Sequence, residues 1–401
     1  MNDKFSIVIV GAGVAGLSMA ALLAQSPVSK SLRITLVDGQ PCPTLAPDQD
    51  IALRVSAMAM GSVELLDRVG AWAGVRSDRI ASYDAMRVWD ESSTADSGDA
   101  LRFDAAEFAE PQLGFIVENL MLQTAILSVL QDSSVELLFD APIDSLELRD
   151  HSRRVLLQDG RKLDADLVIG ADGARSRIRE CAGIQTETWP YAQTAFITHL
   201  AADKPHGSIA RQRFLDTGPL GMLPLHDGRI SVVWSTTPEQ VEWAMSAGDD
   251  ELGRVLSEAS DHVLGNLTVA GPRGAFPLQA QHAREYVKAG VALIGDAAHA
   301  VHPLAGQGAN LGLQDAACLA DVLATAIQEG AYPGDRPVLR RYERARKGAN
   351  ATMLHFMTGL NRLFATDSVL LKELLTTGMR LFNHSGPLRE HVVSVALGSR
   401  R

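Results

Sequence analysis

The chain has 401 residues, of which 46% are hydrophobic and 21% charged, the profile of a folded protein with room for more than one packed unit. A formal net charge of -11 argues against a sequence-independent grip on nucleic-acid phosphates. The three cysteines, Cys42, Cys181 and Cys318, form no C-x-x-C pair, which argues against a disulfide framework or a structural zinc site.

The opening pattern predicts strand, tight turn, helix and strand. Residues 5–10 are a short apolar run, residues 14–24 are rich in Ala and Leu without a breaker, and residues 33–38 are again apolar and β-branched. That order predicts a βαβ unit and a parallel sheet. The first apolar run is too short for a signal peptide, and no stretch of about twenty apolar residues offers a membrane span. A cytoplasmic protein is the expectation. In the turn stands Gly11-Ala12-Gly13-Val14-Ala15-Gly16. Gly11 permits the tight turn, Gly13 lets the backbone approach a pyrophosphate, and Gly16 lets helix and strand pack closely. The helix N-terminus then offers free N–H groups and the positive end of its dipole to the phosphates. Asp38 ends the next strand, about twenty residues beyond the last glycine, where it can accept hydrogen bonds from an adenosine ribose. A glycine-rich turn alone can simply join a strand to a helix. With the βαβ setting and the acid in place, it predicts nucleotide binding.

Residues 91–99 are polar and read as a surface loop. A second apolar strand, residues 165–170, runs into Gly170-Ala171-Asp172-Gly173-Ala174-Arg175-Ser176. Taken alone, this reads first as a turn in which Asp172 caps the following helix, because an acid at a strand end must find partners. Residues 191–276 alternate apolar runs with turn signals, as in 221–225, His226-Asp227-Gly228 and 229–236, and predict an inserted antiparallel sheet. A third strand, residues 291–295, leads into Gly295-Asp296-Ala297-Ala298-His299, then His302-Pro303 and Gly306-Gln307-Gly308-Ala309-Asn310. Asp296 can bind polyol hydroxyls, and the glycines let a flat ligand lie against the backbone. A helix is predicted from Ala309 onward, through Leu311, Leu313, Cys318 and Leu319. Its N-terminal end favours negative charge, which a reduced flavin carries near N1 and the C2 carbonyl, so the pattern points to FAD rather than NAD.

His299 and His302 invite a metal reading, but no third ligand follows at suitable spacing and Pro303 interrupts the segment, so no metal is expected. Asp315 reads as a solvated helix residue. From residue 335 the pattern is helical to 383, broken at Gly386-Pro387, and helical again to 397. The fold expected is α/β. A Rossmann-like FAD-binding domain takes residues 1–75, 100–188 and 277–333, an inserted antiparallel-sheet substrate domain takes 76–99 and 189–276, and a C-terminal helical region takes 334–401.

The three motifs stand in the order expected of the class A flavoprotein monooxygenases, and the chain resembles that para-hydroxybenzoate-hydroxylase-like family. The resemblance implies non-covalent FAD. Gly11, Gly13, Ala15, Gly16 and Asp38 would serve its ADP half. Asp172 would take the D-G role, which contacts FAD and is linked to pyridine-nucleotide use. Asp296 would hold the ribityl chain, with Pro303, Gly306, Gly308, Ala309 and Asn310 continuing the cofactor loop. The likeness is closer still to the ubiquinone-biosynthesis hydroxylase branch, through L-R-V-S-A (53–57), G-F-I-V-E-N (114–119), G-D-A-A-H-A-V-H-P-L-A-G-Q-G-A-N-L-G (295–312), R-R-Y-E-R-A-R (340–346) and residues 387–398. That branch implies Arg54 near the cofactor and Gln123 near the flavin. Two positions depart mildly from its pattern: Asp38 stands where Glu is common, and Ala309 where a larger apolar residue is usual.

The resemblance further implies hydroxylation of a polyprenylated phenol or quinol ring in ubiquinone biosynthesis, with NADH or NADPH and dioxygen, through a flavin C4a-hydroperoxide. An apolar pocket is then expected between the inserted sheet and the flavin. Met222, Leu223 and Pro224 are candidate linings, with Pro303 and Leu304, each as readily plain core. A C-terminal apolar stripe runs through Phe356, Met357, Leu360, Leu363, Phe364, Val369, Leu370, Leu374, Leu375, Leu381 and Phe382. It reads first as core or a partner face. Arg362, Lys372 and Arg380 beside it leave open peripheral contact with the inner membrane or a lipid-associated complex. Two other readings of the whole chain stay open: a hydroxylase of a soluble aromatic compound, and a non-catalytic flavoprotein subunit of a biosynthetic complex.

Overall fold

A computed structural model describes residues 4–149, 152–300, 308–364 and 385–386. Its helices are α1 (Val14–Ala24), α2 (Met60–Arg68), α3 (Asn119–Gln131), α4 (Arg177–Cys181), α5 (Pro238–Ser246), α6 (Asp249–Ala259), α7 (Gly308–Gln328) and α8 (Arg336–Phe364). The three strands foreseen around the motifs lie in one six-stranded sheet. Its order is Val287–Lys288, Val291–Leu293, Leu167–Gly170, Phe5–Val10, Leu32–Val37 and Glu136–Leu138. Every pairing is parallel except that of the first two strands. Ile7, Ile9, Leu167, Val168 and Ile169 are fully buried, as a parallel sheet covered on both faces demands. Helix α1 follows from its Ala and Leu content and is buried along most of its length, as the core-crossing helix of such a unit should be.

The second unit is built on a larger sheet. In order it contains His299–Ala300, Gly274–Ala283, Thr186–Ala202, Ile230–Thr236, Gly218–Pro224, Ile209–Leu215, Ala85–Asp90 and Leu101–Asp104, with Leu267–Val269 also paired to Thr186–Ala202. It departs from the expected antiparallel insertion in two ways. Ile209–Leu215 pairs in parallel with Ala85–Asp90, a strand supplied from far earlier in the chain. Helices α5 and α6 also interrupt the strands. The Thr237 hydroxyl accepts the N–H of Gln240 ahead of Pro238 at the start of α5, and Asp249, Asp250 and Glu251 fill the first turn of α6. These are ordinary helix-start signals, hidden among the turn residues of the flanking strands. The sheet also takes in Leu101–Asp104 and all of Gly274–Ala283, beyond the 76–99 and 189–276 expected for the substrate unit.

Helices α5 and α6 cover one face of this sheet, forming a core with Trp89, Phe196, Met222 and Trp234. The other face looks back toward the parallel sheet. A small antiparallel sheet of Val55–Ala59, Gly114–Glu118 and Ala81–Tyr83 stands between the units. Among the described residues no helix is long and apolar enough to cross a membrane. Residues 365–384 and 387–401, with most of the C-terminal apolar stripe, lie outside the described residues.

Candidate functional site

A cavity of about 850 Å³ lies between the glycine turn, the N-terminus of α7 and the uncovered face of the large sheet. The glycine turn is shaped by contact. Gly11 has φ of 109°, and a Cβ there would stand 2.3 Å from the carbonyl oxygen of Ala171. A Cβ on Gly16 would stand 1.9 Å from the Gly11 oxygen. Gly13 differs, since nothing lies within 4 Å of its would-be Cβ and the residue lines the cavity. It also starts α1 without a side-chain cap, so the first helical N–H groups remain available to an anion. Half-buried Asp38 accepts the Ala12 N–H at 2.5 Å and the Gln40 N–H at 2.7 Å. Gln123, in the cavity wall, donates to the Ala12 oxygen at 3.0 Å, so both sides of the Ala12 residue are held.

Across the cavity, the Gly295–Asp296 turn is held from behind by a buried network. Asp315 and His299 are 0% and 1% exposed. His299 Nε2 lies 2.5 Å from Asp315 Oδ2, which also accepts the Gly295 N–H at 3.1 Å. Arg346 Nε and Asn350 Nδ2 donate to the other oxygen at 2.8 and 3.0 Å. Asp315 is therefore not the solvated residue that its sequence context suggested. Burial alone would raise its carboxyl, but the charges and hydrogen bonds of His299 and Arg346 outweigh that and hold it below the usual carboxylate range. With the Gly295 backbone fixed, Asp296 faces the cavity, and its carboxylate has no hydrogen-bond partner among the described residues. Asp296 is exposed, and the surrounding protein pushes its carboxyl above the usual range, with His299 and Arg54 pulling the other way.

The short strings singled out in the sequence meet here. Val55–Ala59 pairs with Gly114–Glu118, with Val55 opposite Glu118. The Asn310 side chain accepts the Ala59 N–H at 3.0 Å and donates to the Ala57 oxygen at 2.8 Å, stitching α7 to that strand. From α8, Tyr342 donates to the Leu293 oxygen and Glu343 accepts the Tyr286 N–H, each at 2.8 Å. Sequence reasoning missed Arg79, which is clamped to Glu118 by bonds of 2.8 and 2.9 Å and holds the Gln49 oxygen at 2.7 Å. Glu118 also takes the Ala52 N–H at 2.6 Å. This buried pair fixes the loop leading to Arg54, which lines the cavity with its guanidinium 5.4 Å from the Phe276 ring centroid. A lone Arg ahead of a strand carries no sequence signal for such a role.

Other expected residues fall elsewhere. Asp172 is turned away from the cavity. It accepts the Ser176 hydroxyl at 2.5 Å and the N–H groups of Arg177 and Ile178 at 2.7 and 3.0 Å, the capping role of its local reading. Its neighbours Gly173 and Ala174 line the wall instead. Met222 lies in the core under α5 and α6, and Leu223 alone of the expected hairpin residues lines the cavity. The reason is strand alternation: Pro219, Gly221 and Leu223 share the cavity face, while Met222 and Pro224 have the opposite parity. Ala15, Gly308 and Ala309 are in the wall. His302, Pro303, Leu304 and Gly306 lie outside the described residues. Among the described residues no group of three His, Cys, Asp or Glu is placed to hold a metal ion.

These features fit FAD. The open space over Gly13 suits a pyrophosphate, and the unpartnered Asp296 carboxylate suits the hydroxyls of a ribityl chain. The start of α7 brings a positive helix end to the same cavity. Residues 4–357 match the family described as FAD binding domain. The chain is 35% identical over 399 residues to 3-demethoxyubiquinol 3-hydroxylase of Escherichia coli, covering 99% of each chain. It is 34% identical to a ubiquinone hydroxylase of Rhodospirillum rubrum, over 99% of this chain and 90% of that one. Among solved structures, p-nitrophenol 4-monooxygenase of Pseudomonas putida superposes with a TM-score of 0.76 over 100% of both chains at 21% identity, a likeness of fold. The chain therefore belongs to the family of FAD-binding proteins that this domain defines, and within it to the FAD-dependent aromatic monooxygenases.

Proposed function

We propose that the protein hydroxylates the aromatic ring of a polyprenylated phenol or quinol in ubiquinone biosynthesis, with NADH or NADPH and dioxygen as co-substrates. The observation that carries this reading is identity of 31–35% to ubiquinone-biosynthesis hydroxylases and monooxygenases along nearly the full length of the chain. Bound FAD supplies the redox chemistry, accepting electrons from the nicotinamide nucleotide and activating dioxygen. The protein supplies position, charge and dryness. Gly13 and the first turn of α1 take the diphosphate, and Asp38 the ribose. Asp296 orients the ribityl chain, and the start of α7 favours negative charge on the reduced ring. Ile197, Leu223 and Val233 give the large sheet an apolar cavity face, which keeps water from the reacting ring.

A prenyl tail is poorly soluble, so substrate is taken from a membrane surface or from a lipid-associated complex. The test uses purified, FAD-loaded protein with a short-chain prenylated phenol, NADH or NADPH, and isotopically labelled dioxygen. Label in a new ring hydroxyl is the expected result. Nucleotide oxidation that the phenol does not stimulate, with no labelled product, contradicts the proposal.

A further inference from the structure

The cavity face of the large sheet is a set of cross-strand rows. One runs Ala210, Leu223, Ser231; the next runs Gln212, Gly221, Val233, Ile197. Most of these positions are small or apolar, and Gly221 leaves its place in the row empty of side chain. Over this floor stands Tyr83, whose ring joins the cluster containing Leu223 and Ala210. Gly114 makes room for it: a Cβ there would stand 3.0 Å from both Cε1 and the hydroxyl of Tyr83.

Tyr83, Gln212 and Ser231 are 9%, 6% and 0% exposed, and all three line the cavity. None has a hydrogen-bond partner for its side chain among the described residues. Buried polar groups are normally paired, and leaving one unmade costs about 1–3 kcal/mol; the Ser231 hydroxyl is such a group. With the unpartnered side chains of Tyr83 and Gln212 in the wall of the same apolar recess, it calls for a ligand that completes them. All three are neutral, since burial pushes the Tyr83 phenol up to about 12. Arg211, between Ala210 and Gln212, also lines the cavity, but its guanidinium donates to the carbonyl oxygens of His206 and Ile209. Arg54 lies over Phe276, whose strand is four places across the sheet from that of Gln212.

We propose that Tyr83, Gln212 and Ser231 form a polar subsite that holds the oxygen substituents of a neutral phenol ring and rejects ring carboxylates. This rests on the phenolic substrate class of the proposed function. A buried carboxylate would require a paired cation, and at this end of the cavity the guanidinium of Arg211 is already held by the carbonyl oxygens of His206 and Ile209.

The test titrates oxidised, FAD-loaded protein with 2-prenylphenol, with prenylbenzene, which lacks the hydroxyl, and with a prenylbenzoate, following the flavin absorbance. The parent is expected to prefer the phenol to both. Tyr83→Phe and Gln212→Leu are each expected to weaken phenol binding roughly tenfold, the scale of one hydrogen bond, while prenylbenzene binding stays level. Equal losses for phenol and prenylbenzene would mean that these side chains only pack, and would overturn the subsite. Unchanged phenol binding in both variants would overturn it too. A parent that binds the benzoate as well as the phenol overturns the subsite and counts against the phenolic substrate itself.

Discussion

Asp296 projects a carboxylate without a protein partner into the cavity while its own backbone is tied down through Gly295. Hydrogen bonds to a charged group contribute about 1.5–3 kcal/mol. Asp296→Ala should therefore hold FAD roughly 10- to 100-fold less tightly, read by flavin content after ultrafiltration. A variant that stays fully yellow contradicts the ribityl assignment. The hairpin gives a second contrast at this scale. Met222→Ala should cost about 2–5 kcal/mol of stability and leave the KM for the aromatic substrate unchanged. Leu223→Ala should raise that KM. A Met222→Ala protein with normal stability and altered KM would contradict the placement. Sequence alone brought both residues to the right hairpin. It could not separate them, because a shift of one residue in register exchanges the two faces and the register depends on strands far away in the chain.

Helices α7 and α8 meet around Asp315, through Arg346 and Asn350. Removing the carboxylate with Asp315→Ala leaves half-buried Arg346 with Asn350 but without its charged partner, and breaking such a buried pair typically costs about 3–5 kcal/mol. A clear fall in Tm is expected, and a Tm within error of the parent would contradict the network's role. Asp315 looked solvated in the sequence because one charged residue on a helix says nothing of what covers it. Its partners come from the 299 turn and from a helix 31 residues on. The same packing sets a pH dependence. Burial, then the charges of His299 and Lys347, depress the His282 imidazole to about 4, against roughly 6.5 in an unfolded chain. The unfolded state thus binds the proton first as pH falls. His282 contributes stability that is present above about pH 6.5 and is lost as pH drops toward about 4. Burial depresses His199 in the same sense. The Tm should be lower near pH 5 than near neutrality, and His282→Gln should make that slope shallower; an unaltered slope contradicts the assignment.

The whole molecule joins a parallel nucleotide-binding sheet to a larger mixed sheet, with the cavity between them. The first half of this plan was legible because its signals are local. A glycine turn, a strand-end acid and an apolar run each declare their surroundings within a few residues. The predicted strand 5–10 and helix 14–24 match Phe5–Val10 and α1. The rest depends on distant pairing. No local pattern reveals that Ala85–Asp90 lies beside Ile209–Leu215, or that Arg79 clamps Glu118. The same holds for the polar floor of the cavity, assembled from strands of separate segments. The central claim concerns a reaction in a pathway, and the most direct test is deletion of the gene in its own host, followed by mass spectrometry of the extracted quinones. The account predicts accumulation of a prenylated intermediate that lacks one ring hydroxyl, whose structure identifies the carbon hydroxylated. An unchanged quinone pool, in a host with no second hydroxylase for that position, would contradict it.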